Sequence, residues 1–316
     1  MKRKFSDAAV FDVSPVAALS FLIQQAAYVE AEIYRLEYPQ FKYGTLLPLD
    51  NSAPDWAKMV VFRAIDARGE LQVLGPNSTD VPTVDIAMSQ GFKEITTAAL
   101  GYTYSLEEIG FAMLNNVNLD AERGQAVRDV VEQGLNKIYL LGDKGVGEGL
   151  YKSPNVGVES ASSTLAALVA AIPTYGAQPI IDFFGNAYNQ VYLENTLTVH
   201  RPNGFVIPSE QFQLLQRTLL STANASNVTL LEFLRQNFRD MEFEDDILLK
   251  GAGAGGTDRM MVYKKDLRVV KGHDVMPLRF LAPATADNIN FKVPALLRTG
   301  GTEWRIPKAA HYVDGV

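Results

Sequence analysis

The chain has 316 residues, which is more than one hydrophobic core usually serves, so two or more domains or subdomains are expected. With 47% hydrophobic and 21% charged residues the composition is globular, and the absence of cysteine excludes disulfides, thiolate zinc sites and cysteine nucleophiles. A net charge of −7 disfavours direct recognition of nucleic acid, and no stretch reaches the roughly 18 apolar residues that would predict a membrane-spanning helix.

The N-terminal part of the sequence predicts a helix followed by a dense aromatic run. Ser14-Pro15 places a capping residue before a proline at the first helical position, and an apolar run at residues 16–28 follows. Pro39 and Pro48 then prevent a continuous helix. Core burial is the plainer explanation of the aromatic run, and a contact between subunits is the alternative. Its members are Tyr34, Leu36, Tyr38, Phe41, Tyr43 and Leu46.

A two-stranded ribbon is predicted next. Residues 58–66 and 70–74 are rich in strand-forming residues, and the short loop Ala67-Arg68-Gly69 between them suits a hairpin. Residues 75–91 are rich in proline, asparagine, serine and threonine and predict a long polar return, whereas residues 92–104 predict a further strand. Because an isolated hairpin is marginal in water, the ribbon is expected to have a covering partner.

The middle of the sequence predicts a short capped helix and then the longest helix of the chain. Ser105 and Glu108 form a Ser-x-x-Glu capping box that opens a helix to about residue 115. The long helix, called the spine helix below, is expected at residues 119–142, with Gly142 in the left-handed conformation that stops it. Its apolar stripe is predicted to be buried in the core. The stripe consists of Val127, Val130, Val131, Gly134, Ile138 and Leu141.

The remaining sequence alternates helical and strand patterns, which indicates a mixed second domain. Two strand-like runs near the C-terminus, at residues 289–298 and 303–312, flank a Thr-Gly-Gly-Thr segment. The other predicted elements are helices at residues 179–192, 209–218 and 229–237 and strands at residues 204–207 and 259–263.

The glycine motifs do not predict a nucleotide site. Gly251, Gly253 and Gly256 satisfy G-x-G-x-x-G, but a strand is predicted after them and not the helix whose N-terminus would face a pyrophosphate. No G-x-S-x-G elbow nominates a nucleophile. The sequence therefore predicts no catalytic residue and no cofactor, and a soluble enzyme with a site assembled in space is only a remote alternative.

No metal site is predicted either. The histidines are far apart and lack the spacing of a metal-binding pair, so they are expected to be satisfied or exposed; they are His200, His273 and His311. An acidic cluster does not fit an EF-hand loop and is expected to form a solvated or interface-facing patch; it consists of Glu242, Glu244, Asp245 and Asp246.

Several segments follow one another in a distinctive order. They are YTYSLEEI at residues 102–109, the end of the spine helix at residues 141–143, GFVIPSEQFQLL at residues 204–215, TLLEFL at residues 229–234, GAGAGGTDRMMVYKKD at residues 251–266 and LLRTGGTEWRIPKAAHYVDGV at residues 296–316. In this order the chain resembles the major capsid proteins of tailed bacteriophages, which have the α+β fold called HK97-like.

The resemblance implies a division of the chain into regions and a set of partners. The regions are an N-terminal arm (1–50), an extended hairpin called the E-loop (51–91), a peripheral domain with the spine helix at 119–142 (92–160), an axial domain (161–270) and a return to the peripheral domain (271–316). The implied assembly is a homo-oligomer of hexamers and pentamers that closes into an icosahedral shell around double-stranded DNA, bound without sequence specificity. A portal and a separate scaffolding protein are implied partners, and a membrane is not.

The resemblance also implies a virion protein that is not an enzyme and that assembles in the host cytoplasm. An encapsulin-like compartment shell has the same fold and is the alternative. Candidate assembly contacts lie on the hairpin and in the aromatic run; they are Phe62, Arg63, Arg68, Glu70, Tyr34, Tyr38 and Phe41. The expected core of the spine helix consists of Val127, Val130, Val131, Ile138 and Leu141.

Overall fold

A computed structural model describes residues 40–69, 71, 83–105, 107–108, 119–220, 228–287 and 290–316. The predicted helix after Ser14-Pro15 lies outside these residues, as do Tyr34, Tyr38 and Glu70. Among the described helices, none combines the length and the apolar character that spanning a bilayer requires.

Within the described residues, the strands are β1 (Leu49–Asp50), β2 (Met59–Arg68), β3 (Asp85–Glu94), β4 (Thr96–Ser105), β5 (Gly142–Asp143), β6 (Gly147–Glu148), β7 (Gly157–Ser160), β8 (Gly204–Pro208), β9 (Glu242–Asp246), β10 (Arg259–Tyr263), β11 (Val270–Phe280), β12 (Ala284–Asp287), β13 (Asn290–Trp304) and β14 (Ala310–Asp314). The helices are α1 (Tyr43–Leu46), α2 (Leu119–Leu141), α3 (Leu165–Ala170), α4 (Ile172–Tyr175), α5 (Gln178–Asn189), α6 (Ser209–Arg217) and α7 (Leu230–Asn237).

The strands form two larger sheets in the described part of the chain. The first sheet has the order β1-β11-β13-β12, and β4 also pairs with β13. The second sheet has the order β7-β14-β10-β8-β9, so the C-terminal strand β14 lies inside it. Hairpins β2–β3 and β5–β6 are separate two-stranded sheets.

Strands β8, β10 and β14 inside the second sheet are buried along their whole length, which explains the continuous apolar runs of β8 and β10. Phe205, Ile207 and Val262 face a cluster that includes side chains of helices α3, α5, α6 and α7. Val206 and Met261 point to the opposite face, where they join Tyr139 and Leu140 of the spine helix. This second cluster ties the sheet to the rest of the subunit. The strands predicted at residues 204–207 and 259–263 are thereby confirmed.

Capping signals in the sequence are confirmed by hydrogen bonds. The backbone N–H of Glu108 donates to Ser105 Oγ at 3.1 Å, and the backbone N–H of Ser105 donates to Glu108 Oε2 at 3.2 Å. At the start of α7 the backbone N–H of Glu232 donates to Thr229 Oγ1 at 3.3 Å. Helices α5, α6 and α7 begin and end close to their predicted boundaries, because each start carries a strong local signal.

The hairpin has a different second strand from the predicted one. β2 pairs with β3 from Met59 opposite Glu94 to Arg68 opposite Asp85. The predicted loop Ala67-Arg68-Gly69 is wrong, because Ala67 and Arg68 belong to β2 and pair with Ile86 and Asp85. Residues 70 and 72–74 of the predicted second strand lie outside the described residues, and the end of the predicted polar return, from Asp85 to Gly91, is strand. β3 pairs with all ten residues of β2, whereas a three-residue turn would have paired only half of them. The larger number of residue pairs formed with β3 therefore outweighs the local preference of Ala67-Arg68-Gly69 for a short loop.

Two other strand predictions are corrected. The strand predicted at residues 92–104 is interrupted at Ile95, where the chain leaves the hairpin and enters the first sheet. The runs predicted at residues 289–298 and 303–312 are not two strands that flank the Thr-Gly-Gly-Thr segment, because β13 runs through this segment from Asn290 to Trp304. Gly301 has a φ of 65°, and the register of β13 against β11 shifts beside it. The glycines thus form a bulge within one strand.

The spine helix is confirmed over 23 residues, and Gly142 follows it with a φ of 80°. Val127 and Val131 are buried and pack with Ala295 and Leu297 of β13. The expectation that Val130 is buried is wrong, because this side chain is 47% exposed. Successive residues are about 100° apart around a helix, and Val130 lies off the edge that Val127 and Val131 share.

The other expected core residues of the spine helix are only partly buried. Ile138 and Leu141 are half-buried, and Leu141 packs at the edge of the cluster beneath the second sheet. Tyr139 and Leu140 are the fully buried residues at this end. The buried stripe therefore rotates along the helix: its first half faces β13 and its second half faces the second sheet.

Neighbouring valines of the spine helix provide a matched test of this burial. Val131→Asp should lower the free energy of unfolding by about 3–5 kcal/mol, because it places an unpaired charge against β13. Val130→Asp, one residue away, should change it by less than about 1 kcal/mol. Urea unfolding of unassembled subunits, followed by circular dichroism, measures both. Equal destabilisation by the two substitutions would contradict the burial of one valine and the exposure of the other.

Candidate assembly interface

The hairpin β2–β3 carries an apolar face that nothing in the described part of the subunit covers. Val61 lies opposite Phe92 in the register, and Ile65 lies opposite Met88, so these side chains form cross-strand pairs on one face. We call this face the apolar strip. Its members and their exposed fractions are Val61 46%, Ile65 64%, Ile86 59%, Met88 69% and Phe92 66%. Arg63 and Gln90 form a polar pair on the same face between these two pairs, and exposed apolar surface bordered by polar residues marks a contact site.

The opposite face of the hairpin is bound to the body of the subunit at one end. Phe62 points to this face and covers Gly91 on the paired strand, where a Cβ atom would overlap the aromatic ring. The guanidinium carbon of Arg305 lies 5.6 Å from the centre of the Phe62 ring. Glycine is thus required at residue 91 by close packing, and the hairpin turns its other face outward.

Lys93 lies on the same face as Phe62, at the base of the hairpin. Burial lowers the pKa of its ammonium group, although the carboxylates of Glu148 and Glu303 oppose this change. A partly buried cation is thus placed between the hairpin and the first sheet. The carboxylates of Glu148 and Glu303 attract the Lys93 ammonium group and so favour contact between the base of the hairpin and the body of the subunit.

The start of the described chain, at Lys42 and Tyr43, is also bound to the body of the subunit. Lys42 donates to the backbone carbonyl of Asp245 at 2.7 Å and pairs with its carboxylate at 2.5 Å. Tyr43 stacks on Tyr139 with ring centres 5.2 Å apart, and its hydroxyl donates to Glu132 at 2.8 Å. The start of α1 therefore binds both the second sheet and the spine helix.

The family of this fold follows from comparison with known proteins. A model described as "Major capsid protein" matches residues 69–316. The chain belongs to the major capsid protein family. It is a structural subunit of a capsid, and its fold is the α+β fold of HK97-like capsids. A comparison with curated proteins gave no match.

Solved structures show the same fold at low sequence identity. The capsid of Myoviridae phage XM1 is similar with a TM-score of 0.78 and 17% identity, covering 93% of this chain and 98% of that one. The Mycobacterium phage Ogopogo structure has a TM-score of 0.59 and 11% identity, with 93% and 98% covered. The SrpI encapsulin complex from Synechococcus elongatus has a TM-score of 0.55 and 11% identity, with 94% and 95% covered.

The predicted contact residues of this capsid protein fall in different places. Arg63 and Arg68 are exposed on β2, whereas Phe62 faces the body and Phe41 is half-buried. None of the five members of the apolar strip was among the predicted contact residues; they are Val61, Ile65, Ile86, Met88 and Phe92. Alternation of apolar and small or polar residues over 84–92 was the available signal. It was hidden because this segment follows a run typical of loops.

The acidic cluster is only partly the solvated patch that was expected. Glu242 and Glu244 are exposed on β9, whereas Asp246 at the end of the strand is only 4% exposed, and its Oδ1 accepts from the backbone N–H of Leu248 at 2.9 Å. Burial raises the pKa of Asp246, and its carboxylate accepts a hydrogen bond from Tyr151 at 2.7 Å. Burial would also raise the pKa of Asp245, but hydrogen bonds from Lys42 and Ser209 outweigh it and lower that pKa. The expectation is therefore wrong for Asp246.

The glycine-rich segment at residues 251–256 is held by the C-terminal strand. The backbone N–H of Ala254 donates to Asp314 Oδ2 at 2.9 Å. Arg259 binds the same carboxylate through Nε at 2.6 Å and Nη2 at 2.9 Å. A strand follows the segment, as predicted, and the glycines have a structural role in this anchored loop.

The histidines differ in how well they are satisfied. His273 is buried and hydrogen-bonded to Glu303, which also accepts from Arg305 at 3.1 Å. Burial would raise the pKa of Glu303, but these two hydrogen bonds outweigh it and lower the pKa. His200 and His311 are exceptions to the expectation. The buried Nδ1 of His200 has no hydrogen-bond partner among the described residues, and His311 is buried with neither ring nitrogen hydrogen-bonded to one of them. Glu159 Oε2 lies 3.5 Å from its Nε2.

Burial of His311 predicts a dependence of stability on pH. Burial lowers the pKa of this imidazole, so below about pH 6.5 the unfolded chain binds the proton more readily than the folded one. Stability should fall as pH decreases, by up to about 1.4 kcal/mol per pH unit for one proton. His311→Gln should reduce this fall, as measured by urea unfolding between about pH 7.5 and about pH 5.5.

Glu159→Gln should have the opposite effect on the pH dependence. The Glu159 carboxylate favours the protonated form of His311 and opposes the effect of burial. Its removal should therefore lower the pKa of His311 further and steepen the loss of stability. A pH profile that neither substitution changes would contradict this assignment.

Proposed function

We propose that this capsid protein forms hexamers and pentamers that close into an icosahedral shell, in which the apolar strip of each subunit lies on a neighbouring copy. The uncovered apolar strip is the observation that carries the proposal. Complete burial of one large aliphatic or aromatic side chain is worth about 1.5–3 kcal/mol. A second copy would supply the cover that a two-stranded ribbon lacks.

The regional division that we propose follows the sequence prediction with three changes. The arm is shortened, since the chain from Phe41 to Val316 forms one compact unit. The E-loop extends to Glu94, where β3 ends. The axial domain includes β7 and β14, since both lie in the second sheet with β8, β9 and β10. The peripheral domain then consists of the first sheet and the spine helix.

Further partners are proposed from the role of a shell. Double-stranded DNA would be enclosed without sequence-specific contacts, which suits a chain with a net charge of −7. A portal would provide the entrance for DNA, and a separate scaffolding protein would guide assembly in the host cytoplasm. The protein would act without catalysis. Particles that enclose a protein cargo in place of DNA would favour the encapsulin-like alternative.

Charge placed on each face of the hairpin tests the proposal. Ile65→Asp and Met88→Asp should leave the subunit folded and prevent closed shells, because a charge would be buried under the neighbouring copy. Ser89→Asp is the matched control, since residue 89 is exposed on the opposite face and adjacent to Met88. Sedimentation velocity and negative-stain electron microscopy measure assembly, and circular dichroism measures folding.

The Ser89→Asp control separates an effect at the apolar strip from a general effect of added charge. Closed shells from Ser89→Asp together with unassembled, folded subunits from the strip variants would support the proposal. Closed shells at the wild-type yield from Met88→Asp would show that the strip is not the contact.

A further inference from the structure

A buried arginine lies where the hairpin joins the body of the subunit. Arg298 belongs to β13 and is only 6% exposed. It stands opposite Thr97 in the register of β13 and β4, immediately beyond the end of β3. A guanidinium group stays charged at every relevant pH, so its burial at this point requires several well-placed acceptors.

Those acceptors lie in the segments that lead into and out of the hairpin, which we call its two legs. Nη1 donates to the backbone carbonyl of Asp55 at 2.6 Å, and Nη2 donates to that of Ala57 at 2.8 Å. Both residues precede β2. On the other side, Nε donates to Thr97 Oγ1 at 3.1 Å, just after β3. One side chain therefore binds the chain where it enters the hairpin and where it leaves.

Two further contacts lie where the hairpin joins the first sheet. The backbone N–H of Ile95 donates to the carbonyl of Lys58 at 3.0 Å, which joins the two legs. Trp56 is 73% exposed and lies over Arg298, with 5.6 Å between the guanidinium carbon and the ring. The planar fork of arginine fits this set of acceptors, whereas a lysine would supply a single point of donation.

We propose that Arg298 is a positioning residue for assembly, which fixes the direction of the hairpin so that the apolar strip meets the neighbouring subunit. This inference rests on the proposed function of the strip. The hairpin is a separate two-stranded sheet, so its direction is set where its legs join the first sheet. Binding both legs from one rigid side chain limits bending at that joint. Preorganisation of this kind reduces the entropy lost on association.

Distance measurements between two spin labels test the direction of the hairpin itself. The chain has no cysteine, so Ser89→Cys on the hairpin and Lys137→Cys on the spine helix can be labelled alone. Double electron–electron resonance on dilute, unassembled subunits gives the distribution of distances between the labels. Arg298→Ala should widen that distribution by about twofold, because bending at the base then becomes free.

The control variant shares a partner segment but lies at the surface. Arg279 pairs with the Asp55 carboxylate at 2.7 Å, and both side chains are exposed. Arg279→Ala should leave the distance distribution and the yield of closed shells unchanged, because exposed ion pairs contribute little. Arg298→Ala should lower the yield of closed shells by about tenfold.

Milder substitutions keep the test decisive if Arg298→Ala does not fold. Arg298→Lys retains the charge but loses the fork, and Thr97→Val removes only the acceptor of Nε. Each should widen the distance distribution by an intermediate amount and leave the thermal unfolding transition cooperative. These effects would support a positioning role over a purely structural one.

Two results would overturn the inference. One is a narrow distance distribution in every Arg298 variant, and the other is a wide distribution with a normal yield of closed shells. The proposed function fails separately, since Ile65→Asp and Met88→Asp would then assemble. If only the inference is wrong, those strip variants stay unassembled while the Arg298 variants form shells.

Discussion

The hairpin β2–β3 sets the main physical constraint on this subunit. Its two strands form a ladder of ten residue pairs, and among the described residues only the face that carries Phe62 has contacts with the body. The other face exposes apolar side chains that a ribbon of two strands cannot bury by itself. We propose that this exposed face is a contact surface, so that the alternation of side chains that forms the hairpin also promotes association.

The rest of the structure provides a rigid support for that hairpin. The second sheet is covered on both faces, and the spine helix packs on β13 at one end and under the second sheet at the other. Strand β13 is central to this support, since it pairs with β4, β11 and β12, carries Arg298 and is followed directly by Arg305. The two arginines connect the support to the legs and to one face of the hairpin. This strand thus contributes both to the packing of the core and to the attachment of the hairpin.

Local signals made much of this fold predictable from the sequence. The capping pair Ser105 and Glu108, Gly142 after the spine helix and the apolar strand before Lys264 act over a few residues. Strand pairing was harder to predict because β3 is separated from β2 by a long connection, and only tertiary pairing selects it. The Thr-Gly-Gly-Thr segment was predicted to separate two strands, because a bulge within one strand and a break between two strands use the same residue type. The exposure of Val130 was not predictable from the sequence, because it depends on which side of the spine helix meets β13.

The candidate interface was predictable in position but not in detail. The sequence located the hairpin and predicted that a partner covers it, but it assigned Phe62 to the contact when this residue faces the body. Arg298 carried no sequence signal, because its partners at residues 55 and 57 lie more than 200 positions away.

The central claim is that a second copy of the chain covers the apolar strip. A cryo-electron microscopy structure of the closed shell measures this directly through the exposed fractions of Ile65, Met88 and Phe92, which are 64%, 69% and 66% in the single subunit. The account predicts that all three become buried against a neighbouring subunit. Closed shells in which these side chains remain open to solvent would contradict it.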